Sequence, residues 1–150
     1  MLKYKIFFWL LIHDRINTRN LLKRKNFHIP SYSRVLCSLE TEETAKHLMW
    51  DCPFSLGCWD SITPHRARGI SIQDEIMNNI EVMPTGIAME ITIMAAWNIW
   101  MQRNDHIFHH KSFSITKWRR RLKKDLILMD HRIKDKHKST LQAWISNFLN

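Results

Sequence analysis

Two thiols and an imidazole stand within one short stretch, RVLCSLETEETAKHLMWDC, at residues 34–52. Cys37, His47 and Cys52 are spaced Cys-x9-His-x4-Cys. Thiolate sulfur and imidazole nitrogen are donors that zinc prefers, and structural zinc sites almost always gather four donors tetrahedrally. Many such sites open with Cys-x2-Cys. Three positions before Cys37 stands Arg34, whose guanidinium stays protonated and cannot coordinate a cation. The chain therefore offers three candidate zinc ligands. A water, Cys58 or a histidine such as His28 remains to complete the set. Cys58 also has a plainer reading, a small apolar side chain buried beside Trp59, as free cysteines usually are.

A loop and a helix end would have to bring these donors together. TEETAKHLMW reads as a helix with acids in its first turn, favourable against the macrodipole. His47 and Cys52 would lie near the end of that helix, and Cys37 on the loop before it. Ahead of the loop, residues 2–13 are apolar nearly all round and predict a buried helix. Thr18 can cap a second helix in which Leu21, Leu22 and Phe27 face inward while Arg19, Lys23, Arg24 and Lys25 stay wet. Pro30 breaks that pattern by biasing Ile29 away from helix. Pro53 suits the first turn of the next short helix.

Beyond a loop at TPHRARG, Ser71 with Asp74 forms a capping-box variant ahead of EIMNNI. The run IAMEITIMAAWNIWMQRNDHIF predicts the central helix of the second half, with Trp97 and Trp100 as packing residues. Its length raises a membrane question, but Glu90 and the polar flanks favour a protein core. Ile115, Trp118, Leu122, Leu126, Met129 and Ile133 then recur at steps of three and four, one face of a helix. Ser139 with Gln142 makes a plausible box for a closing helix.

The fold class expected is mainly α, a compact helical domain with a small zinc-knuckle-like loop-helix element. Only three glycines and four prolines interrupt 150 residues, too few for a strand-and-turn architecture. We divide the chain into a metal-binding region at 1–63, a loop and short helix at 64–86, and a basic helical region at 87–150. The net charge of +9 is unevenly placed. Residues 1–28 hold seven Lys/Arg against one acid, and residues 117–138 hold ten against three. Two basic arms around a mildly acidic middle suit a polyanion bound through its phosphates, with strong salt dependence. Arg19, Lys23, Arg24 and Lys25 in the first arm, and Arg119, Arg120, Arg121, Lys123 and Lys124 in the second, are the candidate contacts to RNA or DNA. The basic helix has a plainer reading too, as a solvated face around an apolar stripe.

Several motifs together carry a family resemblance. KYKIFFWLLIHDRINTRNLLKRKNF, then VLCSLETEETAKHLMWDCPFSLGCW, then AAWNIWMQRNDHIF occur in that order and cover most of residues 3–108. In this combination the chain resembles the zinc-binding region downstream of the polymerase in plant non-LTR (LINE-type) retrotransposon reverse transcriptases. The resemblance implies a four-ligand zinc site in which Cys37, His47 and Cys52 carry over and Arg34 is the departure. Structural zinc is worth about 10–16 kcal/mol in small fingers, so losing one ligand of four should cost about 3 kcal/mol, roughly a hundredfold in affinity, and the site expected with Arg34 in place is weak or lost. It also implies a non-catalytic accessory region, an isolated or degenerate fragment separated here from its polymerase and beginning inside the family's pattern, whose partners are RNA or DNA and a reverse transcriptase catalytic domain.

Other chemistry finds little support. His13 with Asp14, and His106 with His109 and His110, lack convergent placement. No phosphate loop or nucleophile elbow accompanies them. An enzyme is not expected, nor a small-molecule substrate. A three-ligand zinc hydrolase is disfavoured because no general base is evident near the ligands. The rival class is a helical protein-interaction module without metal or nucleic acid. The opening residues imitate a signal peptide but lack a small-residue cleavage site. Together with the odd cysteine count and the import-like KWRRRLKK, this predicts an intracellular protein, nuclear or cytoplasmic, not secreted and without a membrane partner.

Overall fold

Long stretches free of glycine and proline do become helices. The computed structural model describes residues 1–38 and 40–150. Its α-helices are α1 (Leu2–Ile12), α2 (Arg19–Arg24), α3 (Pro53–Asp60), α4 (Ile72–Glu81), α5 (Ala88–His109), α6 (Ile115–Asp130) and α7 (Asp135–Phe148), with a π-helical turn at His47–Asp51 between α2 and α3. Among the described residues, extended pairing is confined to an isolated antiparallel bridge between Ser33 and Glu42. The protein is mainly α, with a loop-helix element carrying the cysteines.

Helix α5 is the axis. It packs against α1, α4, α6 and the π turn, and Ile91, Ala95, Ala96 and Ile99 are buried along it. The stripe predicted on α6 docks here through Trp118, Leu122, Leu126 and Met129. Trp118 also donates from Nε1 to the Ala95 carbonyl at 3.1 Å, which satisfies the one polar atom of a fully buried ring. Under α3 and the π turn, Trp50 and Trp59 stack with centroids 6.1 Å apart and ring planes 6° from parallel. Among the described residues, no helix is long and apolar enough to cross a membrane.

Four local expectations change. First, α1 is not buried all round. Tyr4 and Phe7 pack on Trp97 of α5, Phe7 also on Trp100, and Leu11 is buried, while Leu2, Ile6 and Trp9 are exposed by 72%, 51% and 49%. A peripheral helix docked chiefly on one neighbour covers one face only. Second, Phe27 is exposed, because Asn26 takes a left-handed conformation (φ 60°) and turns the chain just beyond α2. Third, Glu42 and Glu43 precede the helix they were expected to start. They turn back to amide and cationic donors on α2 and α5, and the Thr44 hydroxyl caps instead, accepting from the His47 amide at 3.2 Å.

Fourth, α7 begins at Asp135, so Ser139 lies inside the helix and forms no box with Gln142. An Asp135–Lys138 pair at 2.8 Å supports the earlier start, with the acid at the favourable end of the helix dipole. By contrast, Thr18 caps α2 as expected, accepting from the Leu21 amide. Ser71 and Asp74 form the full reciprocal box on α4.

Candidate metal centre

The loop that presents Cys37 is folded back on itself before it reaches the helix. Arg34 donates its amide to the Thr41 carbonyl at 2.9 Å, and Glu43 donates its amide to Tyr32 at 3.1 Å. Leu36 is buried and anchors the loop in the core, which leaves its neighbour Cys37 half-buried at the rim. On the helical side, the Cys52 amide donates to the His47 carbonyl at 2.7 Å, five residues back. That widened turn matters for the ligands. In an α-helix, five steps would leave two side chains about 140° apart around the axis. Extra residues per turn shrink that angle and bring His47 and Cys52 toward one side; π-bulges often occur at functional sites for such reasons.

The outcome is a cluster. The ligand atoms of Cys37, His47 and Cys52 all lie within 4.8 Å of one another. Cys37 Sγ is 3.4 Å from His47 Nε2, and the Cys52 thiol donates to the Leu36 carbonyl at 3.6 Å. Ideal tetrahedral zinc with Zn–S near 2.3 Å and Zn–N near 2.05 Å would set sulfur–nitrogen separations at about 3.5 Å and sulfur–sulfur separations at about 3.8 Å. Donor types and spacing both fit a zinc ion.

Electrostatics point the same way. Burial, then the positive charge of Arg34, hold the His47 imidazole below its ordinary range, favouring the neutral form that ligates. Burial raises the Cys52 thiol; backbone amides including Phe54 offset this in part, and neighbouring Cys37 adds to it. A buried thiol that resists ionisation, as Cys52 does, is relieved by a neighbouring cation, and binding would release its proton.

The proposed substitutes for the fourth ligand are placed elsewhere. Cys58 is fully buried and its thiol is pushed far up by burial, the plainer reading of that residue. His28 is exposed. Neither belongs to the cluster. Arg34 does stand close enough for its charge to act on His47, and its Nε is shut off from solvent without a hydrogen-bond partner.

The basic residues are placed on two surfaces and are engaged to different degrees. Arg19 donates its guanidinium to the Ser33 carbonyl at 3.1 Å, Arg24 pairs with Asp14 at 2.8 Å, and Lys23 pairs with Glu42. Lys25 is exposed. On α6, Arg121 pairs with Asp105 at 2.7 Å, Arg119 donates to the Ser61 and Phe148 carbonyls, and Lys123 donates to Asn150. Arg120 and Lys124 are exposed.

Sequence reasoning missed the groups that brace this centre. Glu43 accepts from Arg103 through both oxygens, at 2.6 and 3.2 Å, and also from the Arg19 amide at 3.0 Å. The carboxylate is 1% exposed and the guanidinium 4%, so the pair clamps the metal loop to α5. Beneath the π turn, buried Glu75 pairs with Arg66 at 2.7 Å and Lys46 at 3.1 Å, and Lys46 also reaches Asp51. Partners sixty residues apart leave no local motif. A usable signal was a lone arginine in the apolar run of α5, where a charge requires a partner.

Comparison with known proteins agrees with this geometry over part of the chain. Residues 1–59 match the zf-RVT family, described as zinc-binding in reverse transcriptase. The matched span contains all three clustered ligands and ends within α3. No curated protein and no solved structure gives a significant match.

Proposed function

We propose that this chain is a non-catalytic, zinc-tied accessory region of a LINE-type reverse transcriptase of the plant kind. Zinc would be held by Cys37, His47 and Cys52, and RNA or DNA would be gripped through its phosphates. The observation that carries the reading is the convergence of those three donors inside the span that matches the reverse-transcriptase zinc-binding family. The metal's role is structural: it ties the loop bearing Cys37 to the π turn, which fixes α2 relative to α3. Of the nine candidate contacts, Lys25, Arg120 and Lys124 are the most available to phosphate, since the other six already have internal partners. Such binding is dominated by counterion release and carries little sequence preference. We place this activity inside the cell, in nucleus or cytoplasm, beside a reverse transcriptase catalytic domain.

Metal analysis of the purified chain beside an Arg34→Cys variant tests the zinc reading. The variant should hold about one zinc per chain against a competing chelator, bind about a hundredfold more tightly than the parent, and melt at a higher temperature, because binding to the native state alone stabilises it. Equal metal retention and equal melting would remove zinc from the account. A salt titration with a single-stranded oligonucleotide tests the second half: affinity should fall steeply between about 50 and 200 mM salt. A second reading, a helical protein-interaction module, draws on the exposed Leu2, Ile6 and Trp9 of α1. Absence of nucleic-acid binding even at low salt would favour it.

A further inference from the structure

Three protein donors leave one corner of a tetrahedron open, and a cation, Arg34, stands three residues before Cys37 with its charge felt at His47. Two thiolates and a neutral imidazole would cancel the charge of a zinc ion, so Arg34 sets the sign of what remains. The other charges that act on His47 are Asp51, Glu43 and Lys46. Glu43 is committed to Arg103 at 2.6 Å, and Asp51 to Lys46 at 2.8 Å. Among the described residues no carboxylate pairs with Arg34, although its backbone amide is fixed by donating to the Thr41 carbonyl and its Nε is buried without a partner. A guanidinium in that condition lacks an acceptor, and phosphate is the group its fork matches best. Cys37 is the half-buried ligand of the cluster, whereas His47 and Cys52 are buried.

We propose that Arg34 and the open corner of the Cys37–His47–Cys52 centre form a binding site for a phosphate oxyanion, with one oxygen on the metal and the others on the guanidinium. This rests on the zinc reading above. Arg34 is then a ligand-recruiting residue, where cysteine would have closed the site. The same chemistry is offered by inorganic phosphate and by a backbone phosphate of nucleic acid.

Cobalt(II) makes the coordination sphere visible. The chain loaded with excess Co2+ should show thiolate charge-transfer and tetrahedral ligand-field bands, and inorganic phosphate should shift the ligand-field bands saturably. Arg34→Gln should keep the bands but need at least tenfold more phosphate for the same shift. Arg34→Cys should give the bands of a closed site that phosphate does not move. If a short single-stranded oligonucleotide shifts the parent's bands where inorganic phosphate does not, the site is supported and the source is the nucleic-acid backbone. Cobalt bands that neither ligand moves, or that move equally in the parent and Arg34→Gln, overturn the anion site and leave the metal reading standing. Absence of any cobalt bands overturns both.

Discussion

At the residue scale the three cysteines differ in what surrounds them, and reactivity should follow. Cys37 is half-buried, with an imidazole nitrogen 3.4 Å from its sulfur. Cys52 is buried with a raised thiol, and Cys58 is buried with a thiol raised further. Since thiolate and access together set alkylation rates, iodoacetamide on the metal-stripped native chain should label Cys37 first, Cys52 more slowly and Cys58 only on unfolding. Zinc should slow the labelling of Cys37 at least tenfold, the expected effect of tying up its thiolate. Peptide mapping by mass spectrometry gives the order; labelling of Cys58 before Cys37 would contradict the burial. The donor trio was legible in the sequence because zinc demands few residue types. Arg34 was legible as a departure, but its orphaned Nε was not, since that depends on which carboxylates other cations had already taken.

At the element scale, caps with reciprocal bonds were readable and widened turns were not. The Ser71–Asp74 box forms because both groups lie three residues apart at a helix start. Ser139 and Gln142 share that spacing, yet the chain is already helical at Asp135, so pattern alone cannot locate a start. The π turn at His47–Asp51 has no signature of its own, because apolar periodicity is read at 3.6 residues. Ser71→Ala should cost about 1 kcal/mol, the usual worth of such a cap. Its pH dependence is defined as well. Hydrogen bonds from the Ser71 amide and hydroxyl, then the Ile70 amide, hold the Asp74 carboxyl below its ordinary value. A carboxyl depressed in the folded state stabilises fully above its unfolded pKa, and that contribution disappears as pH falls through the folded value. Thermal melts should therefore show the Ser71→Ala deficit shrinking as pH drops from 7 to below the ordinary carboxylate range. A deficit that is unchanged across that range would mean the box contributes no ionic component.

At the scale of the whole molecule, the metal loop is coupled to the central helix through one buried ion pair. Glu43 precedes Thr44, the cap of the helix that carries His47, and Arg103 sits on α5, where it also lies over the Trp100 ring at 4.8 Å. The helical class and the apolar face of α6 followed from local periodicity, whereas this tie joins residues too distant in sequence for any local pattern. Breaking one side of a buried pair strands the other charge and typically costs about 3–5 kcal/mol, while replacing both with apolar groups of similar volume is often near neutral. Arg103→Met should therefore destabilise strongly, and Glu43→Leu with Arg103→Met should recover much of that loss in denaturant titrations. Stability is only half of the readout. Glu43 also receives the Arg19 amide at the start of α2, so the double variant should fold yet hold its loop less firmly. Zinc affinity, measured by chelator competition, should then stay below that of the parent even where stability is regained. Full recovery of both would mean that the pair serves packing alone, and that the loop and π turn assemble the metal centre without help from α5.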